Sequence, residues 1–328
     1  MKAAIRTGFL GYTFTFTQNV AIPSFQPDSS QHKHSVFIKV QSAAINPVDY
    51  KLPRFIIGPI VGRDFCGVVE KVGSQVTSVK VGDQVYGNSS TGSLAEYAIA
   101  QETTIAKKED DHWTTAECAA LPVAYQSALQ SFQVGNIIPK GFKGESVEKD
   151  VLIIGASGGC GVAGIQLCKA AGVKRIVAIC SKKNTDFVKG LGATQVVNYD
   201  VSDELNDFFQ QNKGQFDCVY DAATGTGGNE DYWKQSIPLL KPKVGQFVAL
   251  NGPPGKWTRA LLGWQKKNES IILCRSNTAD LESIVYLLNR TGARPIVNSY
   301  TLSEDGLANA FQALKSRRTK GKLVFDME

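Results

Sequence analysis

The stretch from Val151 to Val162 constrains this chain more than any other. Val151, Leu152, Ile153 and Ile154 form an apolar run that ends in Gly155-Ala156-Ser157-Gly158-Gly159-Cys160-Gly161, and Val162-Ala163-Gly164-Ile165-Gln166-Leu167 then takes up a helical pattern. Glycines recur every third residue at 155, 158 and 161, and Gly159 adds a fourth. A strand that enters a helix through such a turn presents backbone N–H groups and the positive helix end to a pyrophosphate. The spacing differs from the common G-x-G-x-x-G, and a tight strand–helix turn without a ligand leaves the same pattern. The flanking sequence therefore has to decide.

Strand-like runs follow at 150–155, 175–180, 195–199, 216–221, 245–250 and 270–274, with helical patterns between the first five, as at Glu204 to Gln211 and Tyr232 to Leu240. This alternation predicts right-handed βαβ units and a parallel sheet, and six strands fit a doubly wound α/β dinucleotide fold of the Rossmann type. The first 120 residues read differently. Short alternating segments such as Val36-Phe37-Ile38-Lys39-Val40, punctuated by Gly and Pro, predict a β-rich barrel or sandwich. Two helical stretches after 275 precede a closing strand, Lys322-Leu323-Val324-Phe325, which is expected to return to the first domain. The predicted organisation is one domain from residues 1–122 and 276–328, and a nucleotide-binding domain at 123–275, with the active site in the cleft between them. The polar stretch Asn136 to Lys149 reads as an exposed loop.

Composition excludes several classes. The chain has 328 residues, 43% hydrophobic and 20% charged, the balance of an ordinary globular protein. Its net charge of +6 is scattered in isolated pairs such as Lys107-Lys108 and Lys266-Lys267, which argues against a nucleic-acid arm and leaves an anionic cofactor or peripheral membrane contact open. The seven cysteines lie far apart without a C-x-x-C, as expected of free thiols in a reducing compartment. The N-terminus lacks a signal-peptide apolar core, and no run is suited to span a membrane. A cytoplasmic protein is the expectation.

The end of the second strand selects the nucleotide. An acidic residue there would accept from a ribose 2′-hydroxyl. Instead the strand ends in Ser181-Lys182-Lys183, a hydroxyl and two ammonium groups suited to the 2′-phosphate of NADPH. A solvated basic turn is the competing reading. Tyr199, at the end of the third strand, is placed to flank the adenosine.

Several spaced motifs resemble those of the medium-chain dehydrogenase/reductase superfamily: Gly62-x-Asp64-Phe65-x-Gly67-x-Val69-x-x-Val72-Gly73, Val81-Gly82-Asp83-Gln84-Val85, the glycine turn, and Gly321-Lys322-Leu323-Val324. The resemblance implies a GroES-like catalytic domain beside the Rossmann domain. Where zinc members of that superfamily carry Cys-x-x-Asp and Gly-His-Glu, this chain reads Asn46-Pro47-Val48-Asp49 and Gly62-Arg63-Asp64, so two ligand types are replaced and no metal is expected. The Asn-Pro-x-Asp motif is similar to that of the zinc-independent quinone oxidoreductase, or zeta-crystallin-like, group. Ala43 to Lys51, Phe187 to Ala193 and Gly252 to Thr258 resemble the chloroplast-envelope quinone oxidoreductase homologues.

That resemblance implies hydride transfer from NADPH to quinones or to the activated C=C bond of enones and alkenals. It implies that Asn46 and Lys51 lie near the nicotinamide, with Tyr50 and Tyr125 as further candidates. Ser127, Ser157, Gly158, Gly159, Cys160, Gly161, Val162, Leu250, Asn251 and Gly252 are then the expected cofactor contacts, with Ser181, Lys182, Lys183 and Tyr199. Ser276 and Asn277, beyond the sixth strand, are additional candidates. A homodimer is implied, and a plastid or mitochondrial location becomes the alternative to the cytoplasm. The competing class is an NADPH-binding interaction or sensor protein that keeps the fold with little turnover.

Overall fold

The computed structural model describes residues 1–109, 112–223 and 232–327. They divide into two compact units, one of Met1–Ala124, Ser276–Glu282 and Pro295–Glu328, the other of Tyr125–Arg275 and Ser283–Arg294. The helix Thr278–Thr291 thus begins in the first unit and continues in the second, so residues 283–294 do not group with the C-terminal segment as the sequence suggested. The physical reason lies in its bonds: Arg290 donates to the carbonyl of Gly144 (2.6 Å), and Gln166 donates to that of Arg294 (2.7 Å).

The second unit is built on six parallel strands, in the spatial order Gln195–Asn198, Val173–Cys180, Val147–Ile154, Cys218–Asp221, Gln246–Ala249 and Glu269–Ile271. In chain order this is 3-2-1-4-5-6, so the connections reverse direction between the first and fourth strands. Ligands of such sheets bind outside the carboxyl ends of the strands at that reversal. Leu152, Ile154, Val177, Ile179, Val219 and Phe247 share one buried cluster, and the alternate residues Val151, Ile153, Ile176, Ala178, Tyr220 and Val248 are buried too. Covering on both faces explains the unbroken apolar runs. The helix Gly159–Ala170, apolar nearly all round, lies close to the sheet because Gly164 has no side chain; a Cβ there would stand 3.1 Å from the Tyr220 ring. Two expectations are corrected. The sixth strand is Glu269–Ile271, since only these residues pair with Phe247–Ala249, and Leu273 turns out to solvent. The expected loop is shorter, because Ile137 and Ile138 are buried and the first strand starts at Val147.

The first unit centres on the eleven-residue strand Ser35–Ile45. Along one edge its first half pairs with Tyr97–Gln101 and its second half with Lys322–Asp326, while its other edge pairs with Asp64–Val72. Register shifts at Phe37/Ile38 and Val40/Ser42 bend it between these partners, as bulges do. The helix Glu304–Ser316 covers this core with Leu307, Ala310, Phe311 and Leu314, a 3–4 spacing that forms one apolar stripe.

Candidate functional site

In the second unit the glycine turn separates into parts with different reasons for being glycine. Gly155 has φ +76°, a left-handed conformation that favours glycine. A Cβ on Gly161 would lie 2.2 Å from the carbonyl oxygen of Gly155, so the helix can approach the turn only without it. Gly158 has neither constraint: its φ is −76°, and a Cβ would meet nothing closer than 3.6 Å. It is the N-cap of Gly159–Ala170 and, lacking a side chain, bonds none of the first-turn amides at Gly159, Cys160 and Gly161. Open space over an uncapped helix start suits a phosphate.

The second-strand turn lies beside it. Asn184 Nδ2 donates to Ser157 Oγ (3.0 Å), which ties residues 181–184 to the glycine turn. Lys182 and Lys183 are exposed, and neither ammonium is held in an ion pair among the described residues. Ser181 is buried at the end of the second strand, next to the two exposed lysines. Asp200 accepts from the backbone N–H of Lys182 (2.7 Å) and so shapes the turn. Tyr199 is half-exposed, with its backbone N–H bonded to Cys180. The buried Oδ1 of Asn184 has no hydrogen-bond partner among the described residues. An orphaned acceptor, an open glycine and two free ammonium groups together fit a dinucleotide.

Leu250 leaves the fifth strand with its N–H on the carbonyl of Asp221 (3.0 Å), Asn251 Oδ1 accepts from Trp257 Nε1 (3.0 Å), and Gly252 packs against Ile271 and Trp233. Ser127 is buried on the helix Pro122–Val134, and its carbonyl accepts from Ser131 Oγ. Tyr125 donates to Gln166, a packing role. Ser276 and Asn277 belong to the first unit: Ser276 donates to Asn88, and Asn277 bonds the backbone N–H of Asp280 at the helix start (2.8 Å).

In the first unit strand register builds a buried polar cluster. Asp64 pairs with Ala44 on one side and Asn88 on the other, while Leu323 faces Ile45, so Asn46, Asp64, Asn88 and Lys322 converge. Asp64 Oδ2 accepts from Asn46 Nδ2 (2.9 Å) and Lys322 Nζ (3.1 Å); Oδ1 accepts from Asn88 Nδ2 (2.7 Å) and the N–H of Val123 (3.2 Å). Lys322 also donates to Asn46 Oδ1, so both ends of the Asn46 amide are engaged. Asp49 braces the same loop, accepting from the N–H groups of Asn46 (2.8 Å) and Gly62 (3.2 Å) and pairing with buried Arg6. Burial pushes the Asp49 carboxyl up to about 6, against the pull of the Asn46 amide and Arg6. Lys51, half-buried on Val48–Lys51, has its ammonium pKa lowered by burial and by Arg317; burial raises that of Tyr50. Sequence reasoning quoted Lys322 within a motif but missed its role. The signal was a lysine opening an otherwise apolar closing strand. Among the described residues no group of three or more His, Cys, Asp or Glu is placed to hold a metal ion, and no helix is long and apolar enough to cross a membrane.

Comparison with known proteins agrees with this geometry. Residues 32–110 match the alcohol dehydrogenase GroES-like domain, and residues 191–325 match the zinc-binding dehydrogenase family. A 2-methylene-furan-3-one reductase from Solanum lycopersicum is 31% identical over 93% of this chain and 74% of its own length. A chloroplastic quinone-oxidoreductase homolog from Spinacia oleracea is 30% identical over 99% of this chain and 98% of its own. The structure of the quinone oxidoreductase from Coxiella burnetii superposes with a TM-score of 0.78 at 28% identity, covering 100% of this chain and 99% of the other. The chain belongs to the medium-chain dehydrogenase/reductase superfamily and is a nicotinamide-dependent oxidoreductase of its quinone oxidoreductase and enone reductase side.

Proposed function

We propose that this chain reduces quinones or α,β-unsaturated carbonyls with NADPH. The observation that carries the cofactor choice is the turn Ser181-Lys182-Lys183, two unpaired ammonium groups with no carboxylate among them, tied to the glycine turn through Asn184 and Ser157. The names borne by the tomato and spinach relatives support the acceptor class. The nicotinamide supplies the hydride. The chain's residues bind and orient: the open turn at Gly158 takes the pyrophosphate, Lys182 and Lys183 the 2′-phosphate, Ser127 and Leu250-Asn251-Gly252 the nicotinamide end. A conjugated acceptor needs only modest charge stabilisation on its oxygen. Lys51, whose ammonium gives up its proton more readily than usual, is the assigned proton source. Asn46 keeps one amide hydrogen beyond its bond to Asp64 as a donor, and Tyr50 keeps its proton and acts as a hydrogen-bond donor.

The test follows NADPH absorbance with 1,4-benzoquinone, 9,10-phenanthrenequinone, acrolein and trans-2-nonenal. Turnover with one of these classes is expected. Tight NADPH binding with turnover of none would overturn the reductase reading in favour of an NADPH-binding sensor. We also infer a homodimer, because the edge strand Glu269–Ile271 is paired on one side only and Leu261, Trp264 and Leu273 are exposed nearby in sequence. Light scattering on the eluting protein should give twice the chain mass.

A further inference from the structure

Asn184 belongs to none of the motifs that carry the family resemblance, yet its side chain is buried between the glycine turn and the second-strand turn. It is 4% exposed. It stands at the N-cap of the helix Thr185–Leu191, but its side chain makes no capping bond there. Its amide is spent otherwise, Nδ2 donating to Ser157 Oγ across 27 positions of sequence. A serine hydroxyl has one proton. With Oγ accepting from Asn184, that proton is directed away from the amide and is left for another acceptor. Ser157 sits in the glycine turn, two residues before a helix start that already favours an anion. The other end of the amide, Oδ1, is buried without a partner, a costly state unless a ligand donor completes it.

We propose that Asn184 is a positioning residue for cofactor recognition: it fixes the Ser157 hydroxyl as a donor to the dinucleotide phosphate and takes a ribose hydroxyl on its own Oδ1. The inference rests on the NADPH reading above. The same bond sets the spacing between the pyrophosphate turn and the Lys182-Lys183 turn. Asn184 therefore contributes to nucleotide choice without carrying charge. An aspartate of the same shape would reverse that contribution. Its carboxylate would draw the Ser157 proton to itself and repel phosphate, while still accepting from a ribose hydroxyl.

Equilibrium binding of NADPH, NADH and 2′-phospho-ADP-ribose, by calorimetry, tests this on the wild type, Asn184→Ala, Asn184→Asp, Ser157→Ala and the Asn184→Ala/Ser157→Ala pair, with ligand-free thermal unfolding alongside. Each alanine variant is expected to weaken NADPH by about tenfold, and the pair by far less than the product, since both remove one arrangement. Asn184→Asp is expected to move the NADPH-to-NADH preference toward NADH by about tenfold or more, with ligand-free unfolding reporting separately the cost of burying the carboxylate. If Asn184→Ala does not fold, the isosteric Asn184→Asp carries the test by its preference ratio alone. Losses that multiply, or an unchanged preference in Asn184→Asp, would overturn the proposal while leaving the NADPH reading intact. A wild type that binds NADH as tightly as NADPH would overturn that reading and this inference with it.

Discussion

The ammonium of Lys322 lies 3.1 Å from the carboxylate of Asp64, both groups almost fully withdrawn from solvent. Strand register makes the pair, bringing the first residue of the closing strand beside the first residue of Asp64–Val72 across the end of Ser35–Ile45. The positions that resemble metal-ligand places in the zinc branch of the superfamily, Asn46 and Asp64, are here joined by a cation that the chain itself provides. A buried ion pair is held in place less by its own attraction than by the cost of leaving either charge alone.

Replacing Lys322 by methionine keeps the aliphatic bulk and removes the charge. Asp64 then retains donors from Asn46, Asn88 and Val123 but no counter-charge. The expected loss of stability is about 3–5 kcal/mol. The variant Lys322→Met/Asp64→Asn should recover part of it. Urea unfolding of the three proteins measures the difference, and a loss in the double variant as large as in Lys322→Met would show that the buried charge is not the cause.

Part of this molecule was legible as sequence. The parallel sheet follows from apolar runs separated by helical patterns, because strands covered on both faces have little freedom of composition, whereas the order of its strands is read from their pairing. The glycine turn was legible as a turn, but which glycine serves geometry and which leaves room needs coordinates, since the contrast depends on the path of the Gly155 carbonyl. Asn46 was found by its motif, whereas its engagement with Lys322 joins residues 276 positions apart and has no local signature. Ser181 is likewise placed at the strand end by sequence, and only the fold of the turn buries it while leaving Lys182 and Lys183 exposed.

The two glycines give a paired prediction. Gly161→Ala must displace the carbonyl of Gly155 or the start of the helix, at about 1–3 kcal/mol of stability. Gly158→Ala meets ordinary contact distances and an allowed backbone, so its stability should stay within about 0.5 kcal/mol of wild type. Its methyl group nevertheless enters the space assigned to phosphate, and NADPH affinity should fall about tenfold or more. Thermal unfolding and dinucleotide titration separate the two effects. Unaltered affinity in Gly158→Ala would remove the pyrophosphate from that side of the turn.

Glu269 predicts a pH dependence. Burial raises its pKa, but hydrogen bonds from Lys256 (2.6 Å), Trp233 (2.8 Å) and Lys266 together outweigh it and hold the carboxyl below the usual glutamate range. Because the folded pKa lies below the unfolded one, the stabilisation is complete above the unfolded value and is lost as pH falls through the folded one. Wild type should exceed Glu269→Gln by about 1–2 kcal/mol at neutral pH, with the exposed Lys266 adding little. The gap should close in acid. A gap that stayed constant from neutral pH to the limit of acid stability would mean the carboxylate charge is not what holds Trp233 and Lys256.

The lysines of the second-strand turn carry the final prediction. Lys182 and Lys183 are exposed and, among the described residues, held in no ion pair, while the nearby carboxylate of Asp200 accepts from the backbone N–H of Lys182. A dianionic 2′-phosphate gains charge-assisted bonds there, whereas a 2′-hydroxyl gains little. Lys182→Ala/Lys183→Ala should therefore weaken NADPH by about 10–100-fold and NADH by less than about threefold. The NADPH affinity of the wild type should fall steeply with added salt, and that slope should flatten in the variant, since exposed charges are screened. Titrations of both dinucleotides at two ionic strengths supply all four quantities. Equal losses for the two dinucleotides would mean that the lysines shape the turn without reading the phosphate, and the preference would then have to come from the Asn184–Ser157 pair.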